Sequence, residues 1–591
     1  MALLATVLLP AAVSDARYRC PGVPGFSCAR VTVPLDRTGT VPGEIGIRYA
    51  IPRGSGGRKR ALLALTGGPG QPGVLFGPSY RSSFGRLLRN RTLVVLDQRG
   101  TGGSHALDCP ELQGLDAVEP IFPQDVAGCA ARVGPARDSF SSLDTADDIE
   151  AVRRHLGVEK LAVYGVSYGT FVAQQYARAY PDRVERLILD SPVAPESDPW
   201  DLQIPRALPR VLRHLCMGRA CDGITEDPVA DLEAVVRAMQ EGGGRLSGTV
   251  RAPSGGRQRE HLTQVDLLYV LVSTDLNSYM QSRIPAALVA ARRGDPVPLL
   301  RLRRDAAGPP TPLSEFSAGL FLATTCLDNE LPYTYADPVP EREALAAAAL
   351  GAIPAEAFAP FDRSSIDVSS VPQICLHWPD GVFRAPTGAP LPDVPTLILS
   401  GLTDLRTPVE GAREVAAELP GATLLTLAGG GHDLLDTDTT GCVNKAIRRF
   451  FADRAVGAPC QGRSLRPRLA SVPPGSIDGV ASVPGLPGRA GRILRAAVST
   501  VADASTSDNQ AYYAGFDRTG RGGLRGGFYR SFPTAGGQVL QLVGYEWIDS
   551  AAVSGTVIVD GARIFGDARL VEADGDTSRF AFFGDRVVGR I

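Results

Sequence analysis

Short, uninterrupted apolar runs, each ended by glycines or a polar turn, recur along the chain. They fall at Arg60–Thr66, Thr92–Leu96, Leu161–Tyr164, Val184–Leu189, Pro395–Ser400 and Ala422–Leu427. Runs of this length without alternation read as strands buried on both faces. Between them lie helical patterns: Asp144–Gly157 with Ile149, Val152 and Leu156 at helical spacing, Thr170–Tyr180, and Val409–Leu419. Strands alternating with helices predict an α/β fold with a mostly parallel sheet covered on both faces. Two earlier strands, Val31–Leu35 and Glu44–Ile51, are separated by turn formers at Asp36–Gly39 and Pro42-Gly43. From Ser191 to about Pro392 the rhythm stops. Helix-like runs at Val229–Glu241, Leu262–Leu276 and Glu341–Leu350 predict a helical insertion. Past Pro459 a Pro/Gly-rich stretch around Val472–Gly491 reads as a linker, and Arg492–Ala504 as a helix. Beyond Asn509 apolar runs at Val539–Val543, Val553–Val559 and Phe580–Phe583 predict a β-rich end.

The boundaries expected are a core at 17–195 and 391–460, a helical lid at 196–390, a linker and helix at 461–508 and a β-rich domain at 509–591. A chain of 591 residues is long enough for this. With 44% hydrophobic and 21% charged residues the composition is that of a globular protein, and the formal net charge of -2 gives no electrostatic case for a nucleic-acid partner. Residues Ala2–Ala16 have the apolar stretch and small-residue end of a secretory signal, so 1–16 is read as a signal peptide that lacks the basic start. No other run approaches the ~18 apolar residues of a membrane-spanning helix, so no stable membrane insertion is expected.

An even number of cysteines, 10, fits an oxidising compartment and a secreted or envelope-associated chain. They group as neighbours: Cys20 with Cys28, Cys109 with Cys129, Cys216 with Cys221, Cys326 with Cys375 and Cys442 with Cys460. Pairing within these groups is the expectation; the alternative is a set of buried thiols. None has C-x-x-C spacing, and neither metal nor cofactor is expected.

The chemistry centres on Gly165-Val166-Ser167-Tyr168-Gly169, where an apolar run passes through G-x-S-x-G straight into a helical pattern. That context fits a nucleophile elbow, a tight strand-to-helix turn that projects the serine from the sheet and tolerates only small flanking residues. The run at 60–66 ends in Gly67-Gly68-Pro69-Gly70, which lacks the lysine and serine or threonine of a phosphate loop. It reads either as a structural turn or as the source of an oxyanion-hole N–H at Gly68, paired with that of Tyr168. The run at 92–96 leads into Asp97-Gln98-Arg99-Gly100-Thr101-Gly102-Gly103-Ser104.

G-G-P-G after one strand and D-Q-R-G-T-G-G-S after the next, followed by the elbow, resemble the secreted tripeptidyl aminopeptidases and, more distantly, the prolyl aminopeptidases of the α/β-hydrolase superfamily. The likeness covers roughly residues 20–200 and 390–460. Thr66 departs from the histidine usual in prolyl aminopeptidases and favours the tripeptidyl branch. The resemblance implies an α/β-hydrolase fold with a helical lid and a β-rich extension. It also implies a serine exopeptidase that releases tripeptides from N-termini through an acyl-enzyme.

In such hydrolases the order is nucleophile, acid, then base, which Ser167, Asp404 and His432 satisfy, each just past an expected strand. His105 is the other histidine near a glycine-rich loop but precedes the serine; Asp190 is a second candidate acid, and the family pattern favours Asp404. Asp433 is expected to be solvated. An aminopeptidase must also hold a free α-ammonium. The stretch Cys326-Leu327-Asp328-Asn329-Glu330 resembles a cysteine-plus-acid motif of the tripeptidyl group and nominates Asp328 and Glu330, with ordinary surface acids as the alternative. A small- or cell-envelope-ester hydrolase and a non-catalytic surface-binding protein remain the other functional readings.

Overall fold

A computed structural model describes residues 17–590 except 56–57, 116–120, 195–197, 252–255, 309, 380–387, 535–536, 550 and 562. The signal-like residues 1–16 lie outside the described residues. The first strands are β1 (Tyr18–Arg19), β2 (Phe26–Pro34), β3 (Glu44–Pro52), β4 (Ala61–Leu65), β5 (Thr92–Leu96), β6 (Leu161–Val166) and β7 (Val184–Asp190). A hairpin follows, β8 (Arg245–Arg251) and β9 (Arg257–Thr263), then β10 (Thr396–Gly401) and β11 (Thr423–Leu427).

Nine of these form one sheet in the order β1-β2-β3-β5-β4-β6-β7-β10-β11. β2 and β3 are an antiparallel hairpin, β3 is antiparallel to β5, and every pair from β5 to β11 is parallel. β4, β5, β6 and β10 are buried at every residue, which is why they carry no alternation. Leu63, Val94, Val163 and Ile398 face one core, shared with Val152 and Val172 of the helices Ser142–Leu156 and Tyr168–Ala179. Leu62, Val95, Ala162 and Leu397 face the other, with Ile447 of the helix Cys442–Phe451.

The loop after β5 is knitted by its own charges. Asp97 accepts from Val74 N–H (2.9 Å), Gly103 N–H (2.8 Å) and Arg48 Nε (2.5 Å). Arg99, fully buried, grips Asp148 with Nε and Nη2 at 2.8 and 2.7 Å. The D-Q-R-G motif therefore ties the loop to the helix at 142–156, whose start is sealed by a capping box of Ser141 and Asp144.

The insertion between β7 and β10 is mainly helical, as expected, but also carries the β8–β9 hairpin. That hairpin escaped the sequence reading because its strands, RLSGTVR and RQREHLT, are largely polar. After β11, the Pro/Gly-rich stretch read as a linker sends Ile477 and Val480 into the core. The helix spans Gly488–Tyr513, longer at both ends than expected. The chain ends in β12 (Thr519–Gly522), β13 (Gly526–Thr534), β14 (Gly537–Ile548), β15 (Ala551–Asp560), β16 (Arg563–Glu572), β17 (Thr577–Gly584) and β18 (Arg586–Arg590). These form one antiparallel meander in chain order. Its inner residues, including Tyr545 and Val557, share a single core with Val501 of the 488–513 helix and with Val270, Leu288 and Leu299 of the insertion.

All five neighbouring cysteine pairs are disulfides, as the spacing suggested. No described helix is long and apolar enough to cross a membrane.

Candidate active site

Ser167 stands between β6 and the helix Tyr168–Ala179 with φ 55° and ψ -128°, a conformation rare for a residue with a side chain. Its N–H donates to the carbonyl of Asp190 at the end of β7 (3.0 Å) and its carbonyl accepts from Thr170 N–H (2.8 Å), so the turn is held from both sides. The flanking glycines are there for space. A Cβ on Gly165 would lie 2.3 Å from the Gly169 carbonyl oxygen, and one on Gly169 would lie 2.6 Å from that of Thr66.

Asp404, fully buried past β10, accepts Arg406 N–H (3.0 Å) and Thr407 N–H (2.9 Å) on Oδ1. Its Oδ2 takes the Thr407 hydroxyl (2.9 Å) and stands 3.0 Å from His432 Nδ1. Burial pushes this carboxyl up, but His432 and the Thr407 hydrogen bonds outweigh burial and hold it below its usual value. An ionised Asp404 only accepts, so Nδ1 carries the proton and Nε2 keeps its lone pair. For His432, burial works against the cation, yet the Asp404 charge and hydrogen bond leave it above the ordinary imidazole value.

The loop past β11 brings His432 back toward the elbow. Asp433 N–H donates to Ser191 Oγ (3.0 Å), and Leu434 and Leu435 N–H donate to the two oxygens of Asp190 (3.0 and 2.9 Å). Asp190 thus anchors the histidine loop rather than orienting the imidazole; burial and the neighbouring Asp433 push its carboxyl up. Asp433 is not free in solvent: it is half-buried, and its carboxylate caps the turn by accepting Asp436 N–H (3.2 Å). His105 is exposed on its loop.

Gly67 abuts the serine, where a Cβ would stand 2.9 Å from Ser167 Cβ and 3.3 Å from its Oγ. The backbone of Gly68 follows directly, with φ 113°. Tyr168 is the first residue of its helix, so its N–H has no acceptor within the helix. Asp328, the last residue of the helix Ala318–Asp328, is buried. Its carboxylate accepts Ser142 N–H and hydroxyl, both 3.0 Å, and Tyr168 OH (3.1 Å). Burial, partly offset by those hydrogen bonds, pushes it up to about 7. Glu330 is exposed, so Asp328 alone reaches the elbow, through Tyr168.

Several residues of the insertion that meet these loops were not legible beforehand. Ser317 N–H donates to the carbonyl of Gly70 (2.9 Å) and His214 Nε2 accepts Gly429 N–H (3.1 Å). Asp275 meets the loops of both Asp404 and His432: its buried carboxylate accepts Arg406 N–H and its backbone carbonyl accepts the N–H of His432. The one sequence signal for this was the glycine run at 429–431. A Cβ on Gly431 would lie 1.9 Å from the Asp275 carbonyl oxygen.

Residues 60–215 match the family described as the alpha/beta hydrolase fold, and residues 360–460 match one described as TAP-like protein. Serine protease Hip1 of Mycobacterium tuberculosis is 25% identical over 492 residues, covering 76% of this chain and 90% of that protein. Tripeptidyl aminopeptidase of Streptomyces coelicolor is 31% identical over 198 residues, 29% of this chain and 36% of that one. The putative hydrolase YuaR of Escherichia coli is 24% identical over 467 residues, 74% and 89% of the two chains.

Proposed function

The chain belongs to the α/β-hydrolase superfamily, and we propose that it is a secreted serine exopeptidase releasing short peptides, tripeptides foremost, from peptide or protein N-termini. The observation that carries this reading is the 3.0 Å contact between His432 Nδ1 and Asp404 Oδ2 on a loop tied back beside an elbow serine. Similarity to a serine protease and a tripeptidyl aminopeptidase supports the choice of a peptide bond, and five disulfides support an oxidising compartment.

In this reading His432 Nε2 removes the proton of Ser167 as Oγ attacks the scissile carbonyl, and Asp404 steadies the imidazolium. The carbonyl oxygen turns into the cradle of Tyr168 N–H and Gly68 N–H, donors worth ~3 kcal/mol each in comparable sites. His432 then gives its proton to the leaving amine, which departs with the rest of the chain. Water, deprotonated by the same imidazole, frees the short acyl fragment and restores Ser167. Asp328, bonded to Tyr168 OH, is the candidate partner for the substrate's free α-ammonium once it ionises, above about pH 7; Glu330, exposed, does not reach the elbow.

A tripeptidyl anilide with a free N-terminus is expected to be turned over faster than its N-acetylated counterpart. Ser167→Ala is expected to lower turnover by at least ~10³-fold and to abolish labelling by a fluorophosphonate. Turnover of p-nitrophenyl esters with none of the anilide would replace the exopeptidase with an esterase. A wild type that takes no label would remove the enzyme reading and leave a surface-binding protein.

A further inference from the structure

Asp275 stands 130 residues before Leu405 in sequence, in a single turn of 3-10 helix at Thr274–Leu276 within the insertion. Its carboxylate is wholly buried against Arg406: Oδ1 accepts Arg406 Nε (3.0 Å), and Oδ2 accepts Arg406 N–H (3.1 Å) and Leu405 N–H (3.3 Å). Its backbone carbonyl accepts the N–H of His432 (3.0 Å). One residue therefore grips both the loop that follows the acid and the residue that bears the imidazole. The side-chain ligand atoms of Asp275, Asp404 and His432 lie within 4.8 Å of one another, close enough for a cation. The cation of this cluster is the Arg406 guanidinium.

The segment that continues from Asp275 is fastened to the C-terminal helix. Asn277 Nδ2 donates to the Gln510 carbonyl (3.3 Å), and the rings of Tyr279 and Tyr513 stack at 5.7 Å. Arg283 donates to Gln510 Oε1 (2.6 Å) and Ser507 Oγ (2.9 Å). Next to it Arg301 makes a two-pronged pair with Asp503, 2.7 Å on each side, and Tyr545 OH of β14 donates to the same carboxylate (2.7 Å). These charges are buried and paired across the junction, which makes it specific in register.

We propose that Asp275 is a positioning residue of the hydrolytic site, setting the separation of Asp404 from His432, and that the C-terminal helix and sheet serve catalysis by fixing Asp275. The proposal rests on the assignment of Ser167, Asp404 and His432 as nucleophile, acid and base. It gives the C-terminal region a task in the reaction without contact with substrate. A merely structural contact would affect folding alone, whereas a positioning contact shows in kcat and in the titration of the base. The groups that bear on His432 are Asp404 from the loop after β10, Asp275 from the insertion and the opposing charge of Arg406.

The test compares Asp275→Asn, Asp275→Ala and Gly431→Ala with wild type in the full chain. It reads the fluorophosphonate labelling rate, kcat and KM on whichever chromogenic substrate is turned over, the pH profile and the melting temperature. Asp275→Ala is expected to lower kcat about 10- to 100-fold with little change in KM, the scale of an ångström's misplacement. Asp275→Asn, nearly isosteric, is expected to move the acid limb of kcat/KM to lower pH, because one negative charge beside His432 is gone. Gly431→Ala has an allowed backbone but drives a methyl into the Asp275 carbonyl, and is expected to reproduce the loss in kcat. Should Asp275→Ala fail to fold, the other two substitutions decide. Wild-type kcat and an unmoved pH profile in folded Asp275→Asn and Gly431→Ala would overturn the proposal. Failure of the underlying assignment shows separately, as wild type that takes no label or Ser167→Ala that still does.

Discussion

At Ser167 the backbone sits at φ 55°, a strained conformation that costs on the order of 1–3 kcal/mol and persists because Asp190 and Thr170 hold it. His432, the proposed base, is poised by equally local forces. Because the Asp404 charge keeps His432 above 6.5 despite burial, kcat/KM is expected to fall on the acid side with an apparent pKa above that value. Asp404→Asn is expected to move this limb down and to cost ~10⁴-fold in kcat through loss of the correct tautomer. Asp328 makes a different titration visible. Burial raises its carboxyl from 3.8 to about 7, so the folded chain holds this proton more tightly than the unfolded chain. Stability from this group is complete at low pH and is lost as pH climbs toward 7. Asp328→Asn is therefore expected to gain on wild type by about 1.4 kcal/mol per pH unit between about pH 4 and 7, and to keep a constant gap above that. Denaturant melts across pH would check it; a gap that shrinks as pH rises contradicts the burial argument.

Among elements, those that fill the sheet were legible because burial on both faces leaves a run of Val, Leu, Ile and Ala that nothing else explains, as at 92–96 and 161–166. Ser167, Asp404 and His432 stood out as candidates because each follows an apolar run. The β8–β9 hairpin was not legible, since its cross-strand pairs include Gly248 with Glu260 and Thr249 with Arg259 and it packs through few apolar side chains. The C-terminal helix was expected to stop near Ala504 because Ser505–Asn509 is polar. It continues because Ser507, Asp508 and Gln510 find partners in Arg283, Ser531 and Arg518. Asp275 was invisible for the same reason: its meaning lies in partners far along the chain. Two expectations belong at this scale. Gly67→Ala keeps an ordinary backbone but presses on Ser167, so kcat/KM is expected to fall ~10²-fold with little change in melting temperature. On the outer face of the last sheet Arg569, Arg579 and Arg590 are exposed and directly opposite one another on β16, β17 and β18, with no ion pair among the described residues. Stacked like charges destabilise, so Arg579→Glu is expected to stabilise the chain by ~0.2–1 kcal/mol, less at high salt.

For the whole molecule, the insertion and the C-terminal region are one packed unit set against the hydrolase core. Ser317, Asp328 and Asp275 of the insertion touch the Gly70 loop, Tyr168 and the His432 loop in turn. Because Val270 and Leu299 share a core with Val501 and Tyr545, the insertion and the last sheet are expected to melt together in calorimetry rather than as separate transitions. The disulfides follow another logic: each joins a cysteine to the next one along the chain, at sequence separations of 8, 20, 5, 49 and 18. In a chain exported N-terminus first, as proposed, the second thiol of each pair meets its partner as the only unpaired thiol already outside. An oxidant that simply couples thiols in order of arrival would therefore deliver the native set, and maturation would call for a thiol oxidase but no isomerase.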